Sequence, residues 1–169
     1  LLMLSRLEND DRNVEQHSVD ISQMLKTIAQ DARALSAERR HQISLEADPG
    51  ISLRGAPEEL RSAFSNLVFN AVKYTPDEGE IHIRCWQDDN GAHVSVRDNG
   101  TGIAAQHISR LTERFYRVDS SRSTHTGGTG LGLAIVKHVL LRHNGRLEIN
   151  SVVGEGSVFT CHFHPGRLA

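Results

Sequence analysis

The stretch that most clearly suggests ligand binding is the glycine-rich sequence THTGGTGLGL at residues 124–133. Glycine allows the backbone to turn tightly and to approach a ligand closely, because no Cβ stands in the way. An apolar pattern with helical spacing begins at Leu131, and the N-terminus of a helix directs unpaired N–H groups and partial positive charge at whatever lies before it. The combination favours a phosphate site, although a glycine-rich surface turn would have the same composition.

A second stretch places four polar side chains on one face of a predicted helix. Asn66, Asn70, Lys73 and Tyr74 follow one another at helical spacing, while the opposite face is apolar. An asparagine oxygen can enter a Mg²⁺ shell that water and phosphate complete. A lysine can reach a phosphate, and a tyrosine ring can lie against an aromatic base. The alternative is an ordinary solvated helix face.

The third stretch, VSVRDNGTGI at residues 94–103, has the pattern of a strand that ends in a carboxylate and then turns through two glycines. Asp98 could accept a hydrogen bond from the exocyclic amine of a nucleotide base. Gly102 would allow a flat ring to approach the backbone. A solvent-exposed Asx turn is the alternative interpretation of these residues.

These stretches must be positioned by the elements around them. Apolar periodicity predicts three main helices, at residues 21–38, 57–74 and 131–143, and a short helix near 106–111. Alternating or apolar runs predict strands at residues 19–21, 43–47, 51–54, 81–86, 93–97, 147–151 and 157–163. The elements do not alternate as βαβ repeats. The expected fold is therefore α+β: a two-layer α/β sandwich with a mixed, mostly antiparallel sheet and the three main helices on one face.

Composition limits the other possibilities. The 169 residues are 38% hydrophobic and 24% charged, with a formal charge of −2, which suits one ordinary domain and gives no sign of attraction to nucleic acid or membranes. No apolar run approaches the roughly 20 residues of a membrane span. Cys85 and Cys161 lie in strand-like runs, so we expect reduced core thiols of a cytosolic protein. His162 and His164 could share a strand face, but no third metal ligand is evident. His138 and His143 lie near a helix C-terminus, which favours a partly cationic ring.

Together these residues resemble the GHKL superfamily of ATP-binding domains. Residues 66–74 resemble its N box, 98–102 its G1 box, 115–117 its F box and 128–132 its G2 box, in the family order. The version here is similar to that of sensor histidine kinases, and residues 113–119 and 132–138 particularly resemble the sensor kinases of the phosphate regulon. The resemblance implies the Bergerat ATP-binding fold, histidine kinase activity, and ATP and Mg²⁺ as cofactors.

On the predicted helix, the resemblance implies that Asn70 binds Mg²⁺ with Asn66 beside it. Lys73 would contact phosphate and Tyr74 the adenine, and Asn66 and Lys73 would be the catalytic residues. The related gyrase, mismatch-repair and chaperone ATPases have a glutamate one turn before the metal-binding asparagine, where it activates water. Asn66 stands at that position here and cannot accept a proton, which favours transfer to an external acceptor over hydrolysis.

The resemblance assigns the remaining nucleotide contacts to loops. Asp98 would bind the adenine amine in a pocket shaped by glycines, and residues 114–129 would form a lid whose arginines hold phosphate. The implied nucleotide-binding residues outside the helix are Asp98, Gly100, Gly102, Ile103, Arg117, Arg122, Gly128, Thr129, Gly130, Leu131, Gly132 and Ser157.

The resemblance also suggests how the chain is divided and what it works with. Residues 1–8 would be the remnant of a dimerisation helix, 9–18 a linker, 19–165 the ATP-binding catalytic domain and 166–169 a C-terminal tail. The expected partners are the dimerisation and histidine-phosphotransfer domain of the same protein and a response regulator, with no nucleic acid. We expect a monomeric fragment whose parent is a membrane-bound homodimer of the bacterial inner membrane, with this domain in the cytoplasm.

Three function classes remain open. The favoured one is the ATP-binding catalytic domain of a two-component sensor histidine kinase, which transfers the ATP γ-phosphate to a histidine outside this chain. None of the ten histidines here is followed by an acidic residue and then a proline, as the acceptor of the family is. The alternatives are a GHKL-type ATP hydrolase and a nucleotide-binding regulatory module without phosphotransfer, and the second of these would be expected to have a degraded motif.

Overall fold

The computed structural model describes Ser5, residues 17–118 and residues 131–169. Its strands are β1 His17–Asp20, β2 Gln42–Ala47, β3 Ser52–Gly55, β4 Glu80–Asp88, β5 Gly91–Asp98, β6 Gly145–Val152 and β7 Gly156–Phe163. Its helices are α1 Ile21–Leu35, α2 Pro57–Tyr74, α3 Ala105–Ile108 and α4 Gly132–Arg142, with 3-10 turns at Ala37–Arg39 and Pro165–Arg167. Every main element that the sequence predicts is present, and most differ from the prediction only at their ends.

The described strands form two sheets. Five of them lie in the order β2-β4-β5-β7-β6, and within this sheet β2 and β4 are parallel while the other neighbours are antiparallel. Strands β1 and β3 form a separate antiparallel pair, which the sequence did not predict. The register of β5 on β7 places Asp98 opposite Ser157 at one end of the larger sheet. The mixed, mostly antiparallel character of the sheet is confirmed.

One face of the five-stranded sheet is covered by α1, α2 and α4. Alternate residues of the central strands are buried on that face, among them Ile81, Ile83, Cys85, Val94, Val96 and Cys161. They form one core with apolar residues of the three helices, and the removal of this apolar surface from water is the main force that holds the layers together. The two-layer α/β sandwich is therefore confirmed. No described helix is both long enough and apolar enough to cross a membrane.

Local signals explain where the main helices begin and end. The Asp20 side chain caps α1 by accepting from the Gln23 N–H at 2.9 Å. Helix α2 starts at Pro57, whose fixed φ suits the first turn. Helix α1 ends at Leu35, three residues before the predicted end at residue 38, because the chain tightens into a 3-10 turn that closes with Arg40 in the left-handed conformation, at a φ of 56°. The predicted helix at 106–111 is shorter still, since α3 has only four residues.

The two cysteines are free and buried, as the sequence suggested. Both lie opposite Val94 of β5, Cys85 from β4 and Cys161 from β7. Burial raises the pKa of each thiol to about 12, and for Cys85 the charges of Asp48 and Asp20 act in the same direction. Both side chains are therefore protonated core residues.

Both ends of the described domain lie on β3. Strand β1 pairs with one edge of β3, so that Val19 is opposite Leu53. On the other edge Leu168 bridges to Leu53, and the Ala169 N–H donates to the Ser52 carbonyl at 2.9 Å. Residues 166–169, which we expected to be a tail, are thus attached to the domain, and β1 begins at His17, inside the expected linker.

Candidate functional site

The polar face of α2 directs Asn66 toward the start of α4. The Asn66 Nδ2 group donates to the Ser62 carbonyl at 2.7 Å, and because a carbonyl only accepts, this contact fixes how the amide is turned. Its Oδ1 lies against Gly132, where an added Cβ would be 2.8 Å from that oxygen. A larger residue at Gly132 would displace the amide. The predicted N box and the end of the predicted G2 box therefore meet at this contact.

Among the residues that the structure describes, no side chain caps the N-terminus of α4. Leu131 occupies the N-cap position, and its hydrocarbon side chain has no acceptor to offer the N–H groups of the first turn. Unpaired N–H groups and the helix dipole attract anions. The Asn66 oxygen beside them is a hard ligand of the kind that Mg²⁺ prefers. A helix N-terminus next to an amide oxygen has the chemistry to bind a phosphate together with its metal ion.

The face continues along α2 toward its C-terminus. Asn70 follows Asn66 by one helical turn and is half-buried. The Lys73 Nζ lies 5.1 Å from the centroid of the Tyr74 ring, within the range of a cation–π contact. Tyr74 is 43% exposed, so a ligand can reach this residue from solvent. The helix therefore connects the α4 terminus to an exposed aromatic ring.

Asp98 lies at the end of β5, and the loop that follows it reaches the backbone at the C-terminal end of α2. Its Oδ1 accepts from the Gly100 N–H at 2.9 Å. Burial raises the pKa of the Asp98 carboxyl above its ordinary value, while hydrogen bonds from the backbone N–H groups of Gly100 and Ser157 act in the opposite direction. A partly buried carboxylate that keeps free acceptor positions favours a ligand that brings a hydrogen-bond donor.

Two glycines after Asp98 bring the backbone against neighbouring elements. A Cβ at Gly100 would lie 2.7 Å from the Tyr74 carbonyl oxygen, so this loop touches the C-terminal end of α2. Gly102 has a φ of 74°, and a Cβ there would lie 2.2 Å from the Val152 carbonyl oxygen. Both positions require glycine for steric reasons. The loop is thus held between α2 and the β6–β7 hairpin, which form two walls of a candidate base pocket.

The β6–β7 hairpin braces the loop through hydroxyl groups. The Ile103 N–H donates to Ser151 Oγ at 2.7 Å, and Ser151 Oγ lies 2.7 Å from Ser157 Oγ. Gly156, with a φ of 129°, lets the hairpin approach so closely that a Cβ would be 2.1 Å from the Asp98 carbonyl oxygen. Sequence reasoning missed Ser151 and Gly156, because their partners lie about fifty residues earlier in the chain.

A family model described as histidine kinase-, DNA gyrase B-, and HSP90-like ATPase matches residues 55–167. The matched range includes α2, the loop after Asp98 and the start of α4. The chain belongs to this family. ATP is therefore the nucleotide that the family member binds.

Curated relatives of this family member are sensor kinases. The chain is 63% identical over 169 residues to the phosphate regulon sensor protein PhoR of Pseudomonas aeruginosa, an alignment that covers 100% of this chain and 38% of the relative. It is 38% identical over 160 residues to the sensor-like histidine kinase SenX3 of Mycolicibacterium smegmatis, which covers 95% of this chain and 42% of the relative. The chain thus spans about two fifths of the length of these relatives.

Solved structures of histidine kinases have the same fold. Full-length ShkA in complex with AMPPNP matches with a TM-score of 0.85 and 27% identity, over 99% of this chain and 35% of that chain. The mycobacterial sensor histidine kinase MprB matches with a TM-score of 0.77 and 27% identity, over 88% of this chain and 97% of that chain. Within its family, the chain is an ATP-binding catalytic domain of the histidine kinase type.

Part of the predicted site lies outside the described residues, together with most of the predicted lid: Arg122, Gly128, Thr129 and Gly130. The predicted F box is described, and its Arg117 is half-buried. The Tyr116 hydroxyl contacts His107 Nδ1 at the end of α3, and the Arg110 guanidinium lies 4.4 Å from the centre of the Tyr116 ring. The F box is therefore anchored to α3 through its tyrosine.

The histidines of the outer sheet face pair across strands. His162 Nδ1 lies 2.7 Å from His93 Nδ1 on β5, and His162 Nε2 lies 2.9 Å from Glu148 Oε1. His164 lies beyond the end of β7, where its Nδ1 accepts from the Gly166 N–H, so the expectation that it could share a strand face with His162 is wrong. Within the described residues, no group of three candidate ligands could hold a metal ion.

His143 joins two helices of the site. It is buried, its Nδ1 donates to the Val139 carbonyl at 2.7 Å, and its Nε2 accepts from the Ala56 N–H at 3.1 Å, just before α2. These partners require the neutral ring. The expectation of a cationic ring at the helix C-terminus is wrong because burial lowers the pKa of His143 and outweighs the favourable contact with the Val139 carbonyl.

Proposed function

We propose that this chain transfers the γ-phosphoryl group of ATP to a histidine on the dimerisation domain of its own full-length protein. In this step the bond between the γ-phosphorus and the oxygen of ADP breaks, a phosphorus–nitrogen bond to the imidazole forms, and the imidazole loses its proton to solvent. The acceptor must be brought in line with the γ-phosphate by the other domain, because phosphoryl transfer depends on that alignment.

The observation that carries the proposal is the amide of Asn66. It lies at the junction of α2 and α4, its orientation is fixed by Ser62, and its oxygen faces the open start of α4. An amide cannot remove a proton from water, so this position does not supply the general base that hydrolysis requires. A domain that holds ATP without activating water is suited to an external acceptor.

The remaining residues receive roles that match their positions. Asp98 accepts from the adenine amine, with Gly100 and Gly102 as the close walls of the base pocket and Tyr74 at its edge. Asn70 and Asn66 supply oxygen ligands for Mg²⁺, which neutralises charge on the phosphates when it is bound. Lys73 and the first turn of α4, from Gly132, bind phosphate oxygens.

Beyond this domain, we infer the arrangement of a two-component system. The phosphorylated histidine would pass its phosphoryl group to a response regulator, and the full-length protein would be a membrane-bound homodimer with this domain on the cytoplasmic side of a bacterial inner membrane. The support is the similarity to the phosphate regulon sensor protein PhoR of Pseudomonas aeruginosa. By the same similarity, we propose that the full-length protein takes part in phosphate regulation.

The test is to mix this chain with radiolabelled ATP, Mg²⁺ and the separately produced dimerisation domain. We expect the dimerisation domain to acquire label that is stable in base and lost in acid, as phosphohistidine is, while this chain alone acquires none. Asn70→Ala should abolish the transfer. Asn90→Ala, which changes an exposed residue in the β4–β5 turn, is the matched control and should transfer normally.

Two results would contradict the proposal. Rapid release of inorganic phosphate by the chain alone would favour the hydrolase alternative. Binding of ATP without any transfer to the dimerisation domain, under conditions in which the intact parent labels itself, would favour a regulatory module.

A further inference from the structure

We propose that Arg39 is a positioning residue that fixes one wall of the base pocket by clamping the C-terminus of α2. The inference rests on the proposed nucleotide site, and it concerns a residue in the 3-10 turn after α1, which is distant in sequence from the predicted motifs. In the part of the chain that the structure describes, the Arg39 guanidinium donates to Val72, Thr75 and Asp77 and not to Asp98. It acts through the carbonyl groups at the end of the helix that carries Tyr74.

The Arg39 guanidinium has three acceptors around it. One Nη donates to the Val72 carbonyl at 2.6 Å, the other donates to the Thr75 carbonyl, and Nε donates to Asp77 Oδ1 at 2.9 Å. Carbonyls at a helix C-terminus lack partners within the helix and carry partial negative charge. A planar cation with donors in a fixed fork satisfies two of them and the following turn at once.

The segment after Arg39 continues the clamp. His41 Nε2 lies 2.9 Å from the Thr75 carbonyl oxygen and 3.1 Å from that of Pro76, and it must carry the proton because both partners only accept. The Glu78 N–H donates to the Arg39 carbonyl at 2.8 Å. Side chains and backbone of this segment therefore hold the end of α2 and the turn that follows it.

The held end of α2 is also a wall of the pocket. A Cβ at Gly100 would lie 2.7 Å from the Tyr74 carbonyl oxygen, one residue before Thr75, and Gly100 in turn donates to Asp98. Thr75 is fully buried between these contacts. A shift of the helix end by a few tenths of an ångström would therefore move the loop that presents the Asp98 carboxylate.

This geometry predicts that removal of Arg39 weakens only the contacts with the base of the nucleotide. The phosphate end, where Asn66 meets Gly132, lies two helical turns away and has its own contacts. Loss of Arg39 would leave the Val72 carbonyl without its charged donor and would loosen Asp98 relative to the base. Recognition of the adenine amine should suffer, and binding of the phosphates should not.

The experiment compares two nucleotides that differ at this amine. ADP offers an amine to Asp98, whereas inosine diphosphate offers an oxygen, so the wild-type chain should bind ADP more tightly. In Arg39→Ala we expect calorimetry with Mg²⁺ to give an ADP affinity that is about tenfold lower, as the loss of charge-assisted hydrogen bonds suggests, and an almost unchanged affinity for inosine diphosphate. The quantity to compare is the ratio of the ADP affinity to the inosine diphosphate affinity, since a general loss of folded protein lowers both affinities equally.

The matched control is Arg40→Ala. Arg40 is the neighbouring arginine, and its side chain forms an exposed ion pair at 3.5 Å with Glu78, so the affinity ratio should stay at the wild-type value. If circular dichroism shows that Arg39→Ala is unfolded, the same comparison of the two nucleotides is made with Arg39→Lys. A lysine keeps the charge but not the fork, and a folded Arg39→Lys should show a reduced ratio.

An unchanged ratio in a folded Arg39 variant would overturn the inference while leaving the nucleotide site intact. A ratio that falls equally in Arg40→Ala would also overturn it, because the effect would then belong to charge and not to the clamp. A wild-type chain that binds neither nucleotide would overturn the nucleotide site itself.

Discussion

Asp98 is a residue whose environment opposes its own charge. Burial raises the pKa of this carboxyl, so the folded chain binds its proton more tightly than the unfolded chain does. The contribution of Asp98 to stability is therefore greatest below the ordinary pKa of 3.8 and declines as the pH rises through the higher pKa of the folded state. At neutral pH the ionised side chain works against folding, as is common for groups that are kept for binding.

The first prediction follows for Asp98→Asn. The uncharged amide should leave the free energy of unfolding at pH 7 unchanged or higher, because the buried charge is gone. ADP binding should weaken by a factor of about 10 to 100, since an amide N–H can face the adenine amine and leave two donors opposed. Chemical denaturation gives the first quantity and calorimetry the second.

The matched control is Asp89→Asn, which makes the same chemical change at an exposed carboxylate in the turn between β4 and β5. It should change neither the free energy of unfolding nor the ADP affinity. Equal ADP affinity in wild type and Asp98→Asn would mean that the base pocket lies elsewhere.

The sequence predicts Asp98 and Asn66 as ligand contacts because each follows a local pattern, a strand that ends in a carboxylate and an amide repeated at helical spacing. It could not identify Arg39 or Ser151, because their partners Thr75 and Ile103 are brought to them only by the fold. Residues that touch a ligand often have a local signature. Residues that support them usually lack one.

At the scale of elements, the contact between α2 and α4 places Asn66 against Gly132, where we propose that the phosphates bind. Two links tie the start of α2 to the end of α4. Arg142 Nε donates to Glu59 Oε1 at 2.8 Å, with both side chains only 15% exposed, and His143 accepts from the Ala56 N–H. Any movement between these helices would change the distance between Asn66 and Gly132.

The second prediction concerns His143. Because burial lowers its pKa in the folded state, its contribution to stability is complete above the ordinary value of 6.5 and is lost as the pH falls from there toward the lower folded value. His143→Phe should remove this part of the pH dependence. It should also lower the free energy of unfolding at pH 8 by about 1–3 kcal/mol, because the Ala56 N–H loses its acceptor.

The free energy of unfolding is measured from denaturation curves at several pH values between about 5 and 8. This range brackets the pKa of roughly 6.5 of an ordinary histidine. The exposed His164 supplies the control His164→Gln, which should keep the wild-type slope. A His143→Phe protein whose stability falls with acid as steeply as that of the wild type would show that the neutral ring is not the cause.

The ends of helices and strands were predictable where the sequence contains a start or stop signal. Helix α2 runs from Pro57 to Tyr74 as expected, because a proline marks its first turn and Thr75-Pro76 follows its last. The end of α1 was not, since its apolar spacing continues up to Leu35 and no stop signal follows it. The pairing of β1 with β3 was invisible, because no local pattern tells a short strand which partner it will find.

At the scale of the whole molecule, the core thiols report on the integrity of the sheet. Cys85 and Cys161 flank the central strand β5, and each has a pKa of about 12, so almost no thiolate exists at neutral pH. A thiol reagent can reach them only when the two layers separate.

The third prediction is that a chromogenic disulfide reagent labels neither cysteine of the native chain at pH 8 over minutes. In guanidinium chloride above the unfolding midpoint, both should react at the rate of a free thiol. The time course of absorbance gives the rates. Fast reaction of one thiol in the native chain would mean that the sheet around that cysteine opens without global unfolding.

The fold class was predictable because the helical and strand periodicities are distinct along the chain, and their order restricts the possible layers. The order β2-β4-β5-β7-β6 was not, since it depends on how strands from distant parts of the chain match each other. His93 and His162 illustrate this, being 69 residues apart in sequence and in contact across one ladder.

The attachment of both ends of the described domain to β3 makes it topologically close to a ring. Val19 and Leu168 lie on opposite sides of Leu53, about two strand spacings or roughly 10 Å apart. His17 pairs with Gly55 whereas Ala169 contacts Ser52, three residues away along β3, so the two ends to be joined are about 14 Å apart. A linker of about four to six residues can span that distance. The domain should therefore tolerate circular permutation, with Ala169 joined to His17 and new ends opened between Asp89 and Asn90.

The permuted chain is expected to give the circular dichroism spectrum and the ADP affinity of the original, because none of the proposed ligand contacts is cut. An unfolded permutant would indicate that the β4–β5 turn must close early for the rest of the sheet to assemble. A folded one would show that this ATP site depends on which strands are neighbours in space and not on the order in which the chain visits them.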